Sequence, residues 1–167
     1  MQDEFVHASI VGMLMFLLNT RPNIQFAFHQ CDRFNQSPKM SHRNAVRQTS
    51  SCLKDSLAGG KDPGLTFDVG SAEETPRIEC FVDADFAGLW KVENDDDPVS
   101  SKSRTGFVIF VGNCRVIWQS KLQGGTCLLT TEAEIMALSA SMRELLWMRS
   151  LVVDVATTLK LKLKDPV

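Results

Sequence analysis

The sequence predicts an α+β chain: a compact group of three helices, then three strands forming an antiparallel meander, then a long helix and a final strand. Three observations predict it. Residues 5–60 carry apolar side chains at helical spacing, interrupted at Pro22, Pro38 and Gly59-Gly60. Residues 78–119 read instead as strands, with Gly112-Asn113 as a hairpin signal between two of them. From Thr130, residues Ile135, Leu138, Met142, Leu145 and Leu146 recur at i, i+3, i+7, i+10 and i+11, which marks one apolar helix face.

Taken in order, Phe5 to Leu18 is apolar nearly all round and reads as a buried helix. Thr20-Arg21-Pro22 supplies a capping residue and a helix-starting proline for a second helix, with Ile24, Phe28 and Cys31 on one side. Ser37-Pro38 breaks it. Ser41 is placed to cap a third helix whose apolar side is Ala45, Val46, Thr49, Leu53 and Leu57. Gly64 to Phe67 suggests a short strand, and the small, acidic stretch Asp68 to Pro76 a boundary. Ile78 to Asp85 alternates, with Asp83 and Asp85 on the same face. Thr105 to Val111 is an interior strand and Val116 to Gln119 a shorter one. Thr130 to Arg149 is the long helix, and the alternation in TLKLKLKD, from Thr158, predicts the final strand with one wet face.

Composition bounds the function. The chain has 167 residues, 44% apolar, with a net charge of −2, and a pI near 5.9. It is not built to hold nucleic acid by bulk electrostatics, although an acidic, cation-recruiting site would itself lower the pI. Ile10 to Leu18, the longest apolar run, is about half of the ~20 residues that span a bilayer, so no membrane partner is expected. The N-terminal residues lack a signal-peptide pattern, and five cysteines without a CxxC pair suit buried thiols in an intracellular setting.

Two carboxylate motifs stand out, FVDADFAG (Phe81 to Gly88) and TTEAEIMALS (Thr130 to Ser139). If the helix packs back on the sheet, Asp83 and Glu134 converge, and converging carboxylates begin a site for a hard divalent cation, Mg2+ or Mn2+. Each also has a plainer reading nearby. Thr131 to Glu134 fits a capping box, and Asp85 sits where a strand gives way to a turn. Arg43, Arg47 and Lys54 share a face of the third helix, which suits either a solvated surface or a track for a phosphate backbone. The run Glu93 to Asp97 reads as a solvated loop.

FVDADFAG, KSRTGFVIF, VIWQSKLQ and TTEAEIMALSASMRELLWMRSL, in this order and spacing, resemble the ribonuclease H domain at the end of the Pol polyprotein of copia-type LTR retrotransposons. VGMLMFLLNTRPNIQFAFHQCDRF and the third helix are similar to the end of that polyprotein's reverse transcriptase, its thumb and connecting region. The resemblance implies residues 1–68 as thumb and connection helices, 69–76 as a linker and 77–167 as a truncated ribonuclease H-like domain. It also implies cleavage of the RNA strand of an RNA/DNA hybrid, with divalent cations held by four acidic residues. By motif, Asp83 corresponds to the first and Glu134 to the second. The third lies in the family in a CDN-like motif, which this sequence lacks; Asp165 falls near its place. Asn23 and Ile135 depart from the family's usual aspartate and tyrosine. The resemblance therefore implies a weak or lost activity in this chain, self-association through an exposed sheet edge, and a cytoplasmic or virus-like-particle location.

Overall fold

A computed structural model describes residues 7–59, 65, 77–91 and 97–160. The chain divides into two compact units, Met1–Leu65 and Thr66–Val167.

The first unit holds α1 (His7–Leu17), a single 3-10 turn (Pro22–Ile24) leading into α2 (Gln25–Asp32), and α3 (Met40–Ala58). Val11, Leu14, Ile24, Phe28, Cys31, Val46 and Leu53 form its core, so the spacing of Ile24, Phe28 and Cys31 is realised as one buried side. α1 is not buried all round: Met13 is 64% and Phe16 79% exposed. With α2 and α3 as its neighbours, it covers only one side. The Thr20 hydroxyl donates to the Leu17 carbonyl at 3.3 Å and so closes α1 instead of capping the next helix. α3 starts at Met40, which puts Ser41 inside its first turn. Capping is done by His42, whose Nδ1 accepts the Lys39 backbone N–H at 3.1 Å. Its ring stacks on Phe34 at 3.8 Å. Loss of hydration, with the Lys39 and His7 charges, pushes the His42 pKa down and favours the neutral, accepting ring. Ala45, expected on the apolar side of α3, is exposed, and the Leu57 side chain lies outside the described residues.

The second unit is an antiparallel meander, β1 (Ile78–Asp85), β2 (Arg104–Val111) and β3 (Cys114–Leu122), in the order β1-β2-β3. The register sets Asp83 opposite Gly106 and Asp85 opposite Arg104. Gly112 turns the β2–β3 hairpin at φ +60, a conformation that suits glycine. β3 is longer than its apolar run because polar Gln119 and Ser120 also pair with β2, past a bulge at Ile109/Phe110. Among the described residues β1 and β3 each keep one unpaired edge. The expected strand at Gly64–Phe67 and the boundary at Asp68–Pro76 lie outside the described residues, apart from Leu65, which is in no helix or strand.

α4 (Thr130–Thr158) packs on β1 and β2. It continues past Arg149, and Thr158, expected in a strand, ends the helix, with Lys160 at φ +55 just beyond. The rest of the expected strand lies outside the described residues. The buried side of α4 is also not the predicted one. Ala133, Ala137 and Ser141 are fully buried, whereas Ile135, Leu138, Met142 and Leu146 are exposed and Leu145 is half-buried. The reason is steric: Phe107 and Ile109 fill the sheet's side of the interface, so the helix must offer small residues there to come close. Among the described residues, four α-helices and an open three-stranded antiparallel sheet make a mixed fold consistent with part of a ribonuclease H-like domain. No helix among the described residues is long and apolar enough to cross a membrane.

Candidate functional site

β1 places its two aspartates by alternation. The Cys80 thiol, its pKa raised by burial and partly offset by a hydrogen bond with Ser141, marks the β1 face that meets α4. Asp83 and Asp85 therefore share the opposite face, as the alternation predicts, and both are exposed. Their roles differ. A Cβ at Gly88 would overlap the Asp85 carboxylate, so Asp85 folds over the turn that follows β1. That turn is held by Trp90 N–H donating to the Ala87 carbonyl at 2.8 Å, and by Ala87 N–H donating to buried Ser103 Oγ at 3.4 Å. Ala87 itself sits at φ 48, an uncommon backbone conformation for a residue with a Cβ. Asp85 serves the turn, and Asp83 is left facing water.

Glu134 sits in the second turn of α4 and is exposed. The N-cap of α4 is Leu129, with no side-chain cap of its own. Glu132 takes the capping duty, its Oε2 accepting the Leu128 backbone N–H at 2.8 Å. The capping box expected of Thr131 to Glu134 is thus displaced by two residues, and Glu134 is released from it. Glu132→Ala is expected to cost about 1 kcal/mol of stability, and Glu134→Ala less than about 0.5 kcal/mol, in urea unfolding of the two variants.

One buried side chain ties Glu134 to the aspartate end of the sheet. Gln123, 6% exposed, donates from Nε2 to Thr105 Oγ1 at 3.1 Å and to the Ala133 carbonyl at 2.9 Å. Its Oε1 accepts the Cys127 thiol at 2.9 Å, and its backbone N–H donates to the Ser103 carbonyl at 2.9 Å. Thr105 pairs with Ala84, which lies between Asp83 and Asp85. The residue preceding Glu134 is therefore bonded, through Gln123, to the strand position beside Asp83. The two carboxylates stand at one end of the sheet, Asp83 on the face away from α4 and Glu134 on the helix. Among the described residues no group of three or more His, Cys, Asp or Glu side chains comes together.

The other candidates fall elsewhere. Arg47 and Lys54 are exposed on α3, but Arg43 is half-buried, so the three do not form one fully solvated face. Of the run Glu93 to Asp97, Asp97 is described, and its carboxylate accepts the Val99 backbone N–H at 3.0 Å, a local turn. Asp165 lies outside the described residues. Gln123 closes the motif VIWQSKLQ and Ser103 lies within KSRTGFVIF, yet neither is predicted as a site residue; by local pattern alone a glutamine before a Gly-Gly pair reads as a loop residue.

With the geometry in place, relatives decide the lineage. The chain is 30% identical, over 94% of its length, to the Retrovirus-related Pol polyprotein from transposon RE2 of Arabidopsis thaliana. It is 32% identical, over 86% of its length, to the Retrovirus-related Pol polyprotein from transposon TNT 1-94 of Nicotiana tabacum. The chain corresponds to a segment of a retrotransposon Pol polyprotein. This Pol segment spans 10% of the length of each of those two relatives. It is also 29% identical to the Secreted RxLR effector protein 161 of Plasmopara viticola, over 85% of the segment and 90% of that protein. No family model and no solved structure matches the Pol segment.

Proposed function

We propose that the Pol segment carries half of a ribonuclease H-type metal cage of the copia type, with Asp83 and Glu134 as its carboxylates. The reaction served by such a site is hydrolysis of the RNA strand of an RNA/DNA hybrid. The observation that carries this reading is the release of Glu134 from helix capping by Glu132, at the sheet end where Asp83 is exposed. Two carboxylate oxygen donors suit Mg2+ or Mn2+ in kind and fall short of a full ligand set in number. A divalent cation bound there supplies charge for the phosphoryl oxygens and a water of lowered pKa. Asp83 and Glu134 hold it weakly as a pair, so this chain by itself cleaves weakly or not at all, and Asp165 is the residue to test as a third ligand.

A second reading is a non-catalytic nucleic-acid-binding remnant, favoured by the exposure of Arg47 and Lys54 on α3. One experiment separates the two. A labelled RNA/DNA hybrid is incubated with the chain and with Asp83→Asn, in Mg2+ and then Mn2+, and binding is followed in parallel against salt. Metal-dependent cleavage by the parent, reduced at least about 100-fold in Asp83→Asn, is the expected result for a working half-site. Steeply salt-dependent binding by folded protein, with neither cleavage nor any Mg2+- or Mn2+-dependent strengthening of binding that Asp83→Asn removes, supports the remnant and sinks the nuclease reading.

A further inference from the structure

α4 leaves an apolar stripe in water. Ile135 is 61%, Leu138 52%, Met142 40% and Leu146 56% exposed, on the side away from the small residues that meet the sheet. The spacing of three and four residues keeps them in line. The stripe has charge at both ends and of opposite sign: Glu134 flanks its N-terminal end, and Arg149 continues it at the C-terminal end, both exposed.

We propose that two copies of the chain pair through this stripe, with the α4 helices antiparallel about a two-fold axis at Met142. The antiparallel register follows from the charges. It sets Met142 against Met142 and Leu138 against Leu146 of the other copy. Ile135 then meets the aliphatic stem of the other copy's Arg149, whose guanidinium reaches Glu134 and competes there with the proposed cation. A parallel pairing would set Glu134 against Glu134 and Arg149 against Arg149, which like charge opposes. From Ile135 to Arg149 the stripe runs about 21 Å along the helix. Two such surfaces bury about 1,000 Å² in total, which places the pair at the weak end of specific interfaces.

Sedimentation equilibrium of the full chain, from about 1 to 100 μM, tests this in the range where weak pairs associate. The parent is expected to pass from monomer to dimer. Met142→Glu sets two carboxylates at the axis and is expected to weaken association at least about 100-fold. Glu134→Lys is expected to weaken it about tenfold, and Glu134→Lys combined with Arg149→Glu to return it to near the parent value. All three positions are exposed, and circular dichroism matching the parent verifies the fold. A parent that stays monomeric overturns the proposal, as does a dimer indifferent to Met142→Glu, which would lie on the free edge of β1 or β3. Failure of the charge swap to restore association overturns the antiparallel register and the proposal with it.

Discussion

Gln123→Ala is expected to destabilise the sheet-and-helix unit by about 3 kcal/mol, more than any change at the carboxylates themselves. The side chain makes three bonds, to Thr105, Ala133 and Cys127, from a position 6% exposed. Each is worth about 1 kcal/mol net, and the truncation also strands the buried partners it leaves behind. Gln123→Met, which fills the volume without the donors, is expected to recover less than half of the loss. Urea unfolding gives the energies. The same variants report on function: loosening the Ala133 end of α4 moves Glu134 relative to Asp83, so any Mg2+-induced NMR shift at the two residues is expected to fall with the stability. An Ala variant as stable as the parent would show that the bridge does not hold α4 to the sheet.

Ala137→Leu is the second large effect, at about 3 kcal/mol or more of destabilisation. Ala137 has no exposure, and α4 approaches β1 and β2 there without room for three more carbons. Leu138→Ala, one residue along, removes an equal volume from a side chain 52% exposed and is expected to cost less than about 0.5 kcal/mol in dilute solution. The pair inverts what hydrophobicity alone would assign. Thermal and urea unfolding of both variants decide it, and a greater loss at Leu138 would mean that the apolar stripe, not the alanine face, packs on the sheet.

Much of the second unit was legible because its signals are local. Period-two alternation in Ile78 to Asp85, the apolar run through Val111 and the Gly112 turn each depend on neighbours in sequence, and the strands formed there. The same alternation placed Asp83 and Asp85 on one face. Capping was legible in kind and wrong in place: Glu134 has a threonine three residues before it, at Thr131, whereas the helix starts from Leu129 and Glu132 caps it without such a partner. In the first unit the positions of Ile24, Phe28 and Cys31 were readable, while the all-round apolarity of α1 said nothing about how many neighbours it has.

What the sequence by itself determined is the inventory: three strands, a long helix, the motif that relates the chain to Pol polyproteins, and carboxylates at Asp83 and Glu134. What only the tertiary structure decided is orientation. Periodicity states that a helix has an apolar stripe and does not state that the stripe meets the core. In α4 the sheet presents Phe107 and Ile109, so close packing selects Ala133, Ala137 and Ser141 and turns the larger residues to water. The same contact brings Gln123 under the helix start, and so sets where Glu134 stands relative to Asp83.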